Sequence, residues 1–455
     1  RRAAPATAAP PLAPRSAAMF SCCCAGKEAA EFYDYIVVGG GNAAGYACKE
    51  FVEQGISAGS VAVISAEPGL PYERPALTKA YLHPPSAKVR ARLPGFLTCV
   101  GGGGERQTEE FYAKNGISIV HGRVTSVDTA TKRVVVDSQK TFTYGKLILA
   151  TGCRTRKLGV VGDNMEGVHY LREEQDAAKL VTALEAAKPK SKAVVVGGGY
   201  IGLECTAALL GWDLDVTVVL PGSRPLARLF DTDLASWIET EYTARGAKFL
   251  KGESVVELVP SDSGAVGGVR LKSGASISCD LVIVGVGSVP NAELMNGALR
   301  MAGGGFAVDA SMRTSDPNIF AIGDICAFPS QYGGGERRCE HVDHARKSAA
   351  QAVKAAMGKS PDAYVYTPYF YSRVFEYTDS PIVFNFFGDD SGEIKTTRRG
   401  TKSIGAIWVK EGKVVGALLM GSPGPSADDA SKLKALIAAG PPADSVEVVF
   451  QKFDL

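Results

Sequence analysis

Hydrophobic and polar positions form the same pattern twice along this chain. Residues 33–55, YDYIVVGGGNAAGYACKEFVEQG, run from a short apolar stretch through a glycine turn into a helix-like segment with small residues on its first turn. Residues 192–212, KAVVVGGGYIGLECTAALLGW, repeat this order. A β-branched stretch follows each of them, VAVISAE at 61–67 and DVTVVLP at 215–221. The pattern predicts two βαβ units, and two such units indicate two dinucleotide-binding domains.

The rest of the chain favours sheets. Residues 123–137 alternate around a turn, as antiparallel strands do, and YGKLILATG at 144–152 has the continuous apolar character of a buried parallel strand. Residues 268–291 repeat this combination. From about residue 365 the composition changes to aromatic-rich strands followed by a helix-like segment at 426–440, which predicts a smaller α+β domain.

The first glycine turn has the features of a pyrophosphate site. Gly39 permits the tight turn after the strand, Gly41 lets the backbone approach a pyrophosphate, and Ala44 takes the third small-residue position. The phosphates then lie at the helix N-terminus, where free N–H groups favour anions. Glu67 ends the second strand and is the candidate for a ribose hydroxyl. The predicted cofactor contacts of this turn also include Asn42 and Ala43.

The second turn matches the same motif with Gly197, Gly199 and Gly202, and Tyr200 and Ile201 lie between its last two glycines. The strand after it lacks the usual acid. Its end reads Leu220, Pro221 and Gly222, and Arg224 follows, which can attract a 2′-phosphate. The sequence therefore leaves the choice between NADH and NADPH open.

A third segment, TSDPNIFAIGDICAF at 314–328, is a buried run that ends in Gly-Asp. It resembles the second FAD fingerprint of flavoproteins with two dinucleotide sites, which implies that Asp324 holds the ribityl hydroxyls. Ala150 and Thr151 of the ATG segment, and Gly287 of GVGSVPN, belong to the same set of motifs. The resemblance implies FAD at the first unit and the nicotinamide cofactor, NADH or NADPH, at the second.

The predicted fold class is α/β, with two Rossmann-like dinucleotide-binding domains, the FAD domain being split by an inserted NAD(P) domain, and a C-terminal α+β domain. The predicted segments are a leader (1–30), the FAD-binding domain in two parts (31–165 and 298–364), the NAD(P)-binding domain (166–297) and the C-terminal domain (365–455).

Composition narrows the class of function. The 455 residues contain 50 basic and 48 acidic side chains, so a nucleic-acid partner is not expected. No apolar run approaches the roughly 20 residues that cross a bilayer, so a membrane partner is not expected either. Ten cysteines occur without any Cys-x-x-Cys pair, which favours reduced thiols.

Residues 1–30 are rich in Arg, Ala, Pro and Ser and have no acid before Glu28, as in an organelle transit peptide. The alternative is that Met19 is the true start. We therefore expect a chloroplast or another organelle if the leader is a transit peptide, and otherwise the cytoplasm. The ending KFDL is not a peroxisomal signal.

The segment from Cys339 to His344 packs Cys, Glu, His and Asp together, and a metal site is one reading of it. The two histidines lie three residues apart, but a third ligand would have to fold back across a helix start. Asp343 is better explained as an acid that stabilises the helix N-terminus. We therefore expect no metal here, and the residue to test is Arg338, just before the segment.

Several segments resemble known flavoprotein families. Disulfide reductases need a cysteine pair in the first helix, where Cys48 stands alone. YERPALTKAYL at 72–82 instead resembles ferredoxin and rubredoxin reductases, which implies that Arg74 contacts FAD and Lys79 lies near the isoalloxazine. LPGFLTCVGGGGERQTEEFYAKNGI, CEHVDHARKSAAQAVKA and YTPYFYSRVFEY look like monodehydroascorbate reductases of plants and algae, from about residue 33 to the last helix.

The latter resemblance implies roles for individual residues. Tyr200 and Glu204 would face the nicotinamide, and Gly101–Gly104 would shape the nucleotide cleft. Arg338 would recognise a small anionic substrate by paired donors. Tyr371, with Tyr369 second, would provide an aromatic contact or electron path beside the flavin.

The implied activity is reduction of the monodehydroascorbate radical by NAD(P)H, with a hydride passing to the flavin and single electrons to two radicals in turn. The expected state is a monomer or weak homo-oligomer. Two alternatives stay open: a reductase for a small iron–sulfur protein of the ferredoxin or rubredoxin type, and a non-enzymatic FAD protein that senses redox state.

Overall fold

The computed structural model describes residues 30–455 apart from 88, 100–104, 333, 400–401 and 423. The leader and the Gly101–Gly104 segment therefore lie outside the described residues. The first part of the chain forms β1 (Glu31–Val38), α1 (Asn42–Glu53), β2 (Val61–Ser65), α2 (Glu109–Lys114), β3 (Ile117–His121), β4 (Val124–Asp128), β5 (Arg133–Val136) and β6 (Lys140–Leu149). Short 3₁₀ turns, Pro75–Thr78, Ala80–Leu82, Pro85–Ala87 and Arg90–Arg92, lie between β2 and α2.

The second part begins with two short strands and contains the second glycine turn. Its elements are β7 (Cys153–Thr155), β8 (Val168–His169), α3 (Glu174–Ala186), β9 (Lys192–Val196), α4 (Tyr200–Gly211), β10 (Asp215–Leu220), α5 (Thr232–Ala244), β11 (Lys248–Lys251), β12 (Val255–Pro260), β13 (Val266–Leu271), β14 (Ser276–Ser278), β15 (Leu281–Val284) and β16 (Ser288–Pro290).

The remaining elements complete the first part and build the C-terminal domain. They are β17 (Met301–Ala302), β18 (Gly305–Ala307), β19 (Ile319–Ala321), β20 (Cys326–Pro329), β21 (Glu336–Arg338), α6 (Val342–Ala356), β22 (Tyr369–Val374), β23 (Ile382–Gly388), β24 (Glu393–Arg399), β25 (Ser403–Lys410), β26 (Lys413–Gly421), α7 (Ala427–Ala439) and α8 (Val446–Lys452). Two further 3₁₀ turns are Glu293–Met295 and Gly323–Ile325.

The first sheet has the order β3-β2-β1-β6, with β19 parallel to the second half of β6 and the antiparallel pair β5-β4 on its first half. β19 comes from beyond the second glycine unit, so the first sheet is built from two separate parts of the chain. Apolar side chains on both faces of β1, β2 and β6 are buried, as expected for a parallel sheet covered by helices.

The second sheet is parallel, in the order β11-β10-β9-β15-β8, with the antiparallel sheet β12-β13-β14 beside it. The chain enters this region through β7 and leaves it through β16, and these two strands pair antiparallel. The C-terminal domain is the antiparallel sheet β22-β23-β26-β25-β24 with α7 and α8.

The predicted fold class is confirmed, including the split first domain and the C-terminal α+β domain. The predicted boundaries near 165, 297 and 364 fall between elements and stay a proposal. Among the described helices, none combines the length and apolar character needed to cross a bilayer.

Candidate functional site

One cleft of about 2070 Å³ connects the two glycine turns, the Asp324 turn, the start of α6 and β22. Most of the residues predicted from the sequence line it. Those residues are Gly39, Gly41, Asn42, Ala43, Glu67, Arg74, Lys79, Ala150, Thr151, Gly197, Gly199, Tyr200, Ile201, Glu204, Gly287, Asp324, Arg338, Tyr369 and Tyr371.

The first glycine turn brings bare backbone to the cleft. Gly39 has φ of 138°, and a Cβ there would lie 2.2 Å from the Ala150 carbonyl oxygen. At Gly41 the nearest atom to such a Cβ would be Arg74 Nε, at 3.2 Å. Ala44 does not line the cleft but is buried on the first turn of α1, where it serves helix packing.

The side chains around this turn supply polar groups. Arg74 N donates to Asn42 Oδ1 at 3.2 Å, while the buried Nδ2 of Asn42 has no partner among the described residues. Tyr72 OH donates to Glu67 Oε2 at 2.6 Å, and Arg74 pairs with the other oxygen of Glu67. The predicted residues Glu67 and Arg74 are thus brought together, with Tyr72 between them.

The second turn alternates tight and open positions. A Cβ at Gly197, whose φ is 114°, would lie 2.4 Å from the Gly285 carbonyl oxygen, and one at Gly202 only 2.0 Å from that of Gly197. A Cβ at Gly199 would meet nothing within 4 Å. Gly197 and Gly202 therefore serve the turn and the packing of α4, whereas Gly199 leaves space in the cleft at the helix N-terminus, where anions bind.

The Asp324 turn follows β19 and faces the segments that connect the two sheets. Arg172 Nη2 lies 3.2 Å from Asp324 Oδ2. Thr151 Oγ1 donates to the Asn291 carbonyl, and Asn291 Nδ2 donates back to the Thr151 carbonyl, both at 2.9 Å. Gly287 has φ of 110°, and its carbonyl accepts from Arg156 N.

These features fit two dinucleotides. The backbone cradle at Gly41, the unpartnered amide of Asn42 and the carboxylates of Glu67 and Asp324 match the donors and acceptors of FAD. The open position at Gly199 matches the pyrophosphate of a nicotinamide dinucleotide.

A buried ion pair lies between the two turns. Lys79 Nζ is 3.0 Å from Glu204 Oε1, although the two residues come from different motifs. Ser372 Oγ donates to Glu204 Oε1 at 2.7 Å, and Thr78 Oγ1 donates to Oε2. The Glu204 side chain is only 5% exposed, so these partners replace water around its charge.

Tyr200 and Ile201 open α4. The Tyr200 ring stacks on Phe370 with centroids 3.9 Å apart, and burial raises the pKa of its hydroxyl. Ile201 is 42% exposed at the cleft wall.

Arg338 is held firmly. Its Nε donates to the Gly303 carbonyl at 2.9 Å and its Nη1 to the Asp324 carbonyl at 2.7 Å. Its Nη2 is 2.7 Å from Glu340 Oε1, and Glu340 also accepts from Ser288 Oγ at 2.7 Å. The predicted substrate role of Arg338 stays a prediction, and the side chain also ties β21 to the Asp324 turn.

The two tyrosines of β22 differ in their surroundings. Tyr371 is 42% exposed on the cleft wall. Tyr369 stacks on Phe387 at 4.5 Å and meets His341 edge-on at 5.3 Å, and burial raises the pKa of its hydroxyl to about 12. Tyr371 is therefore the more accessible of the pair.

The histidines of the Cys339–His344 segment serve the helix and the core. His341 is the N-cap of α6, and its Nδ1 accepts from Asp343 N at 3.3 Å. His344 is buried, with Nδ1 2.9 Å from Tyr364 OH and Nε2 3.4 Å from Cys326 Sγ. Burial lowers the pKa of His341 to about 4 and that of His344 to about 3. Within the described ranges, no group of three or more potential ligands could hold a metal ion.

The polar residues of the site that were not predicted include Arg346 and Ser372. Arg346 lines the cleft and pairs with Glu73 at 3.1 Å, and its guanidinium carbon lies 5.0 Å from the centre of the Tyr46 ring. Ser372 is the Glu204 partner. Strand alternation offered a signal for Ser372, because it must face away from Tyr371. The local pattern gave no signal for Arg346, because its partners Glu73 and Tyr46 lie in the other part of the split domain, far away along the chain.

Comparisons with known proteins agree with this geometry. Residues 33–349 match the family model described as pyridine nucleotide-disulphide oxidoreductase, and residues 367–452 match the one described as monodehydroascorbate reductase 3-like, C-terminal domain. A chloroplastic/mitochondrial monodehydroascorbate reductase of Arabidopsis thaliana is 45% identical over 86% of this chain and 80% of its own. A cytosolic one of Oryza sativa subsp. japonica is 43% identical over 92% and 97%. The ferredoxin reductase for the CYP199A2 system of Rhodopseudomonas palustris superposes with a TM-score of 0.81 at 28% identity, over 92% of this chain and 98% of its own.

Proposed function

The chain belongs to the pyridine nucleotide-disulphide oxidoreductase family and, within it, to the monodehydroascorbate reductases, and from this we propose that it reduces the monodehydroascorbate radical to ascorbate with NAD(P)H. The observation that carries the proposal is the single cleft that joins both glycine turns to the exposed Tyr371 of the C-terminal domain. A flavoprotein that passes electrons from one nucleotide through another to a substrate needs both nucleotide sites and the substrate site in one connected cleft.

A bound FAD would supply the chemistry that converts the two-electron hydride of NAD(P)H into single electrons. The chain supplies position and charge. Gly39, Gly41, Asn42, Glu67 and Asp324 would hold FAD. The second turn, with Gly197, Gly199 and Gly202, would hold the nicotinamide cofactor, with Gly287 and Ile201 lining the cleft nearby.

Lys79 and Glu204 would lie between the two cofactors. Glu204 fixes the position of the Lys79 ammonium at 3.0 Å and is itself fixed by Ser372 and Thr78. The Lys79 ammonium is thus a positive group at a fixed place in the cleft. The Glu204 carboxylate balances its charge, so the ion pair is neutral overall. Tyr200, stacked on Phe370, would cover the nicotinamide side of this pair.

We assign recognition of the substrate anion to Arg338, with Tyr371 as the accessible aromatic contact and Tyr369 behind it. The Nε and Nη1 groups of Arg338 bind main-chain carbonyls, but its Nη2 binds the side chain of Glu340, which can rotate. The anion would therefore replace Glu340 at Nη2 in a charge-assisted hydrogen bond.

A stopped-flow experiment tests this function. The flavin-loaded protein is reduced with NADH or NADPH and then mixed with enzymatically generated ascorbate radical or with oxidised ferredoxin. We expect rapid return of the oxidised flavin absorbance with the radical. Reoxidation by ferredoxin and not by the radical would establish the alternative that the ferredoxin reductase likeness favours.

A matched pair of variants locates the substrate site. Arg338→Gln is expected to raise KM for the radical about tenfold, the loss of one charge-assisted contact, without slowing reduction of the flavin by NAD(P)H. Arg300→Gln is the control, because Arg300 pairs with Glu336 beside the same sheet but outside the cleft. Equal KM values in both variants would show that Arg338 does not bind the substrate.

Relatives named for plastid or mitochondrion and for the cytosol are each similar to this chain over most of its length. We propose an organelle location if residues 1–30 are a transit peptide and the cytoplasm otherwise, and the oligomeric state stays a prediction.

A further inference from the structure

The loop from Pro221 to Phe230 lies against the second glycine turn. Leu226 N donates to the Gly198 carbonyl at 2.9 Å, and Leu229 N and Phe230 N donate to the Leu226 carbonyl at 2.8 and 3.0 Å. These bonds fix the loop at the carboxyl end of β10. In a Rossmann unit this end of the second strand faces the adenine-bearing ribose of the dinucleotide.

The position at which a ribose-binding acid is normally found is occupied here by a glycine, Gly222. A Cβ at Gly222 would meet nothing closer than 3.6 Å, so the site has room for a side chain but carries none. Glu253 is bonded to the end of β10 through its N–H to the Leu220 carbonyl, but its carboxylate accepts from Ser273 N at 3.4 Å and does not line the cleft. Among the described residues, no carboxylate of this strand end lines the cleft, so none opposes a phosphate there.

Arg224 lines the cleft two residues after Gly222. Its Nε donates to the Phe230 carbonyl at 3.2 Å, which anchors one edge of the guanidinium. Its two terminal nitrogens have no hydrogen-bond or ion-pair partner within the described part of the chain. An anchored guanidinium with a free outer edge matches the paired oxygens of a phosphate.

Arg228 lines the same wall, is exposed, and pairs with no carboxylate in the part of the chain that the structure describes. Most other arginines of the cleft are neutralised, and Arg123, which has no ion pair among the described residues, lies in the first domain and not on this loop. Arg74, Arg172, Arg337 and Arg346 each form an ion pair with an acid. Two unneutralised cations on one loop thus mark the ribose end of the second unit as an anion site.

We propose that this site selects NADPH over NADH, with Arg224 and Arg228 binding the 2′-phosphate and Gly222 giving it room. The inference rests on the proposed function only in assigning the nicotinamide cofactor to the second turn. A 2′-phosphate would account for two arginines on this loop, whereas a free 2′-hydroxyl would favour an acid at the strand end.

Direct binding tests it without turnover. The flavin-loaded protein is titrated by calorimetry with adenosine 2′,5′-bisphosphate and with 5′-AMP, which differ only in the 2′-phosphate. We expect the bisphosphate to bind at least tenfold more tightly at low salt and the ratio to shrink as salt screens the arginines. Arg224→Ala should weaken bisphosphate binding about tenfold and AMP binding less than twofold. Gly222→Glu should reverse the preference.

Arg270→Ala is the matched control, since Arg270 pairs with Glu257 on the neighbouring antiparallel sheet and does not line the cleft. It should change neither affinity. Equal affinities of the two ligands in the unaltered protein, or a parallel loss of both in Arg224→Ala, would overturn the inference. If the bisphosphate is preferred but neither nucleotide supports radical reduction, the proposed function fails and this inference stands. If the protein reduces the radical but binds the bisphosphate and AMP equally well, this inference fails and the proposed function stands.

Discussion

At the scale of single residues, Glu204 is the best example of a charge whose burial is compensated locally. Removing a carboxylate from water costs several kcal/mol unless it is paired and hydrogen-bonded. Glu204 has Lys79, Thr78 and Ser372 as partners, and they come from the first domain and the C-terminal domain. All of these bonds form together only when the three domains adopt this one arrangement, so the network favours it.

His344 gives a prediction about pH. Burial lowers its pKa from 6.5 to about 3, so between these values the unfolded chain binds a proton that the folded protein does not. Stability therefore falls as the pH falls below 6.5, by up to about 1.4 kcal/mol per pH unit for this one group. The free energy of unfolding is measured with urea at pH 7 and at pH 5. Its decrease between these two pH values should be about 1–2 kcal/mol smaller in His344→Gln than in the unaltered protein.

The control for this prediction is His121→Gln, because His121 is exposed on β3. Its dependence on pH should equal that of the unaltered protein. The same pH dependence in His344→Gln would show that His344 does not contribute to acid sensitivity.

The positions of residues at the cleft could be predicted from the sequence where they depend on local geometry, while their roles stay predictions. The glycines of both turns and Asp324 belong to short motifs whose backbone defines what each position contacts. The contact of Ser372 with Glu204 could not be predicted, since it depends on how separate domains pack. The contacts of Arg338 with the Asp324 carbonyl and Glu340 lie within one domain, but they depend on how β21 pairs with β20 beside the Asp324 turn.

At the scale of elements, the second glycine turn separates packing from binding within one helix start. Gly202→Ala would push a methyl group to 2.0 Å from the Gly197 carbonyl oxygen. We expect α4 to shift from β9, with a loss of about 1–3 kcal/mol in stability, as for other overpacked sites. Gly199→Ala meets nothing within 4 Å and should keep the stability of the unaltered protein.

Nucleotide binding should respond differently, because the Gly199 methyl would occupy cleft space at the helix N-terminus. Thermal unfolding and calorimetric titration with the oxidised nicotinamide cofactor check both variants. Stable protein with weakened binding is expected for Gly199→Ala. Unchanged binding in that variant would mean that the pyrophosphate does not approach this turn.

The long parallel strands could be predicted because their apolar runs are buried on both faces and are followed by glycine turns. β7 and β16 could not, since each has three residues and exists only because the other pairs with it. The start of α6 could be predicted from its acid, Asp343, but its N-cap is His341, which sequence preferences for caps do not favour.

At the scale of the whole molecule, the hydrophobic cores cross the domain boundaries. One core joins Tyr72, Leu77 and Leu82 of the first domain to α3, β9 and β10 of the second. Another joins α4 and α5 to the C-terminal sheet through Phe375 and Trp408. The sequence predicted the number and order of domains from its repeated motif, but these shared cores depend on which faces meet in three dimensions.

Shared cores predict that the flavin-loaded protein unfolds in one cooperative transition. Trp212 lies beside the first shared core, and Trp237 and Trp408 lie in the second, whereas flavin release reports on the first sheet. In guanidinium titrations, tryptophan fluorescence and flavin fluorescence should change together. Phe375→Ala empties a buried site and should cost about 3–5 kcal/mol. Because contacts across the boundaries tie the domains together, with Leu210 and Phe249 packed against both shared cores, it should lower both midpoints equally, although Phe375 is far along the chain from the flavin motifs. A lower midpoint for tryptophan alone would show that the C-terminal domain unfolds independently.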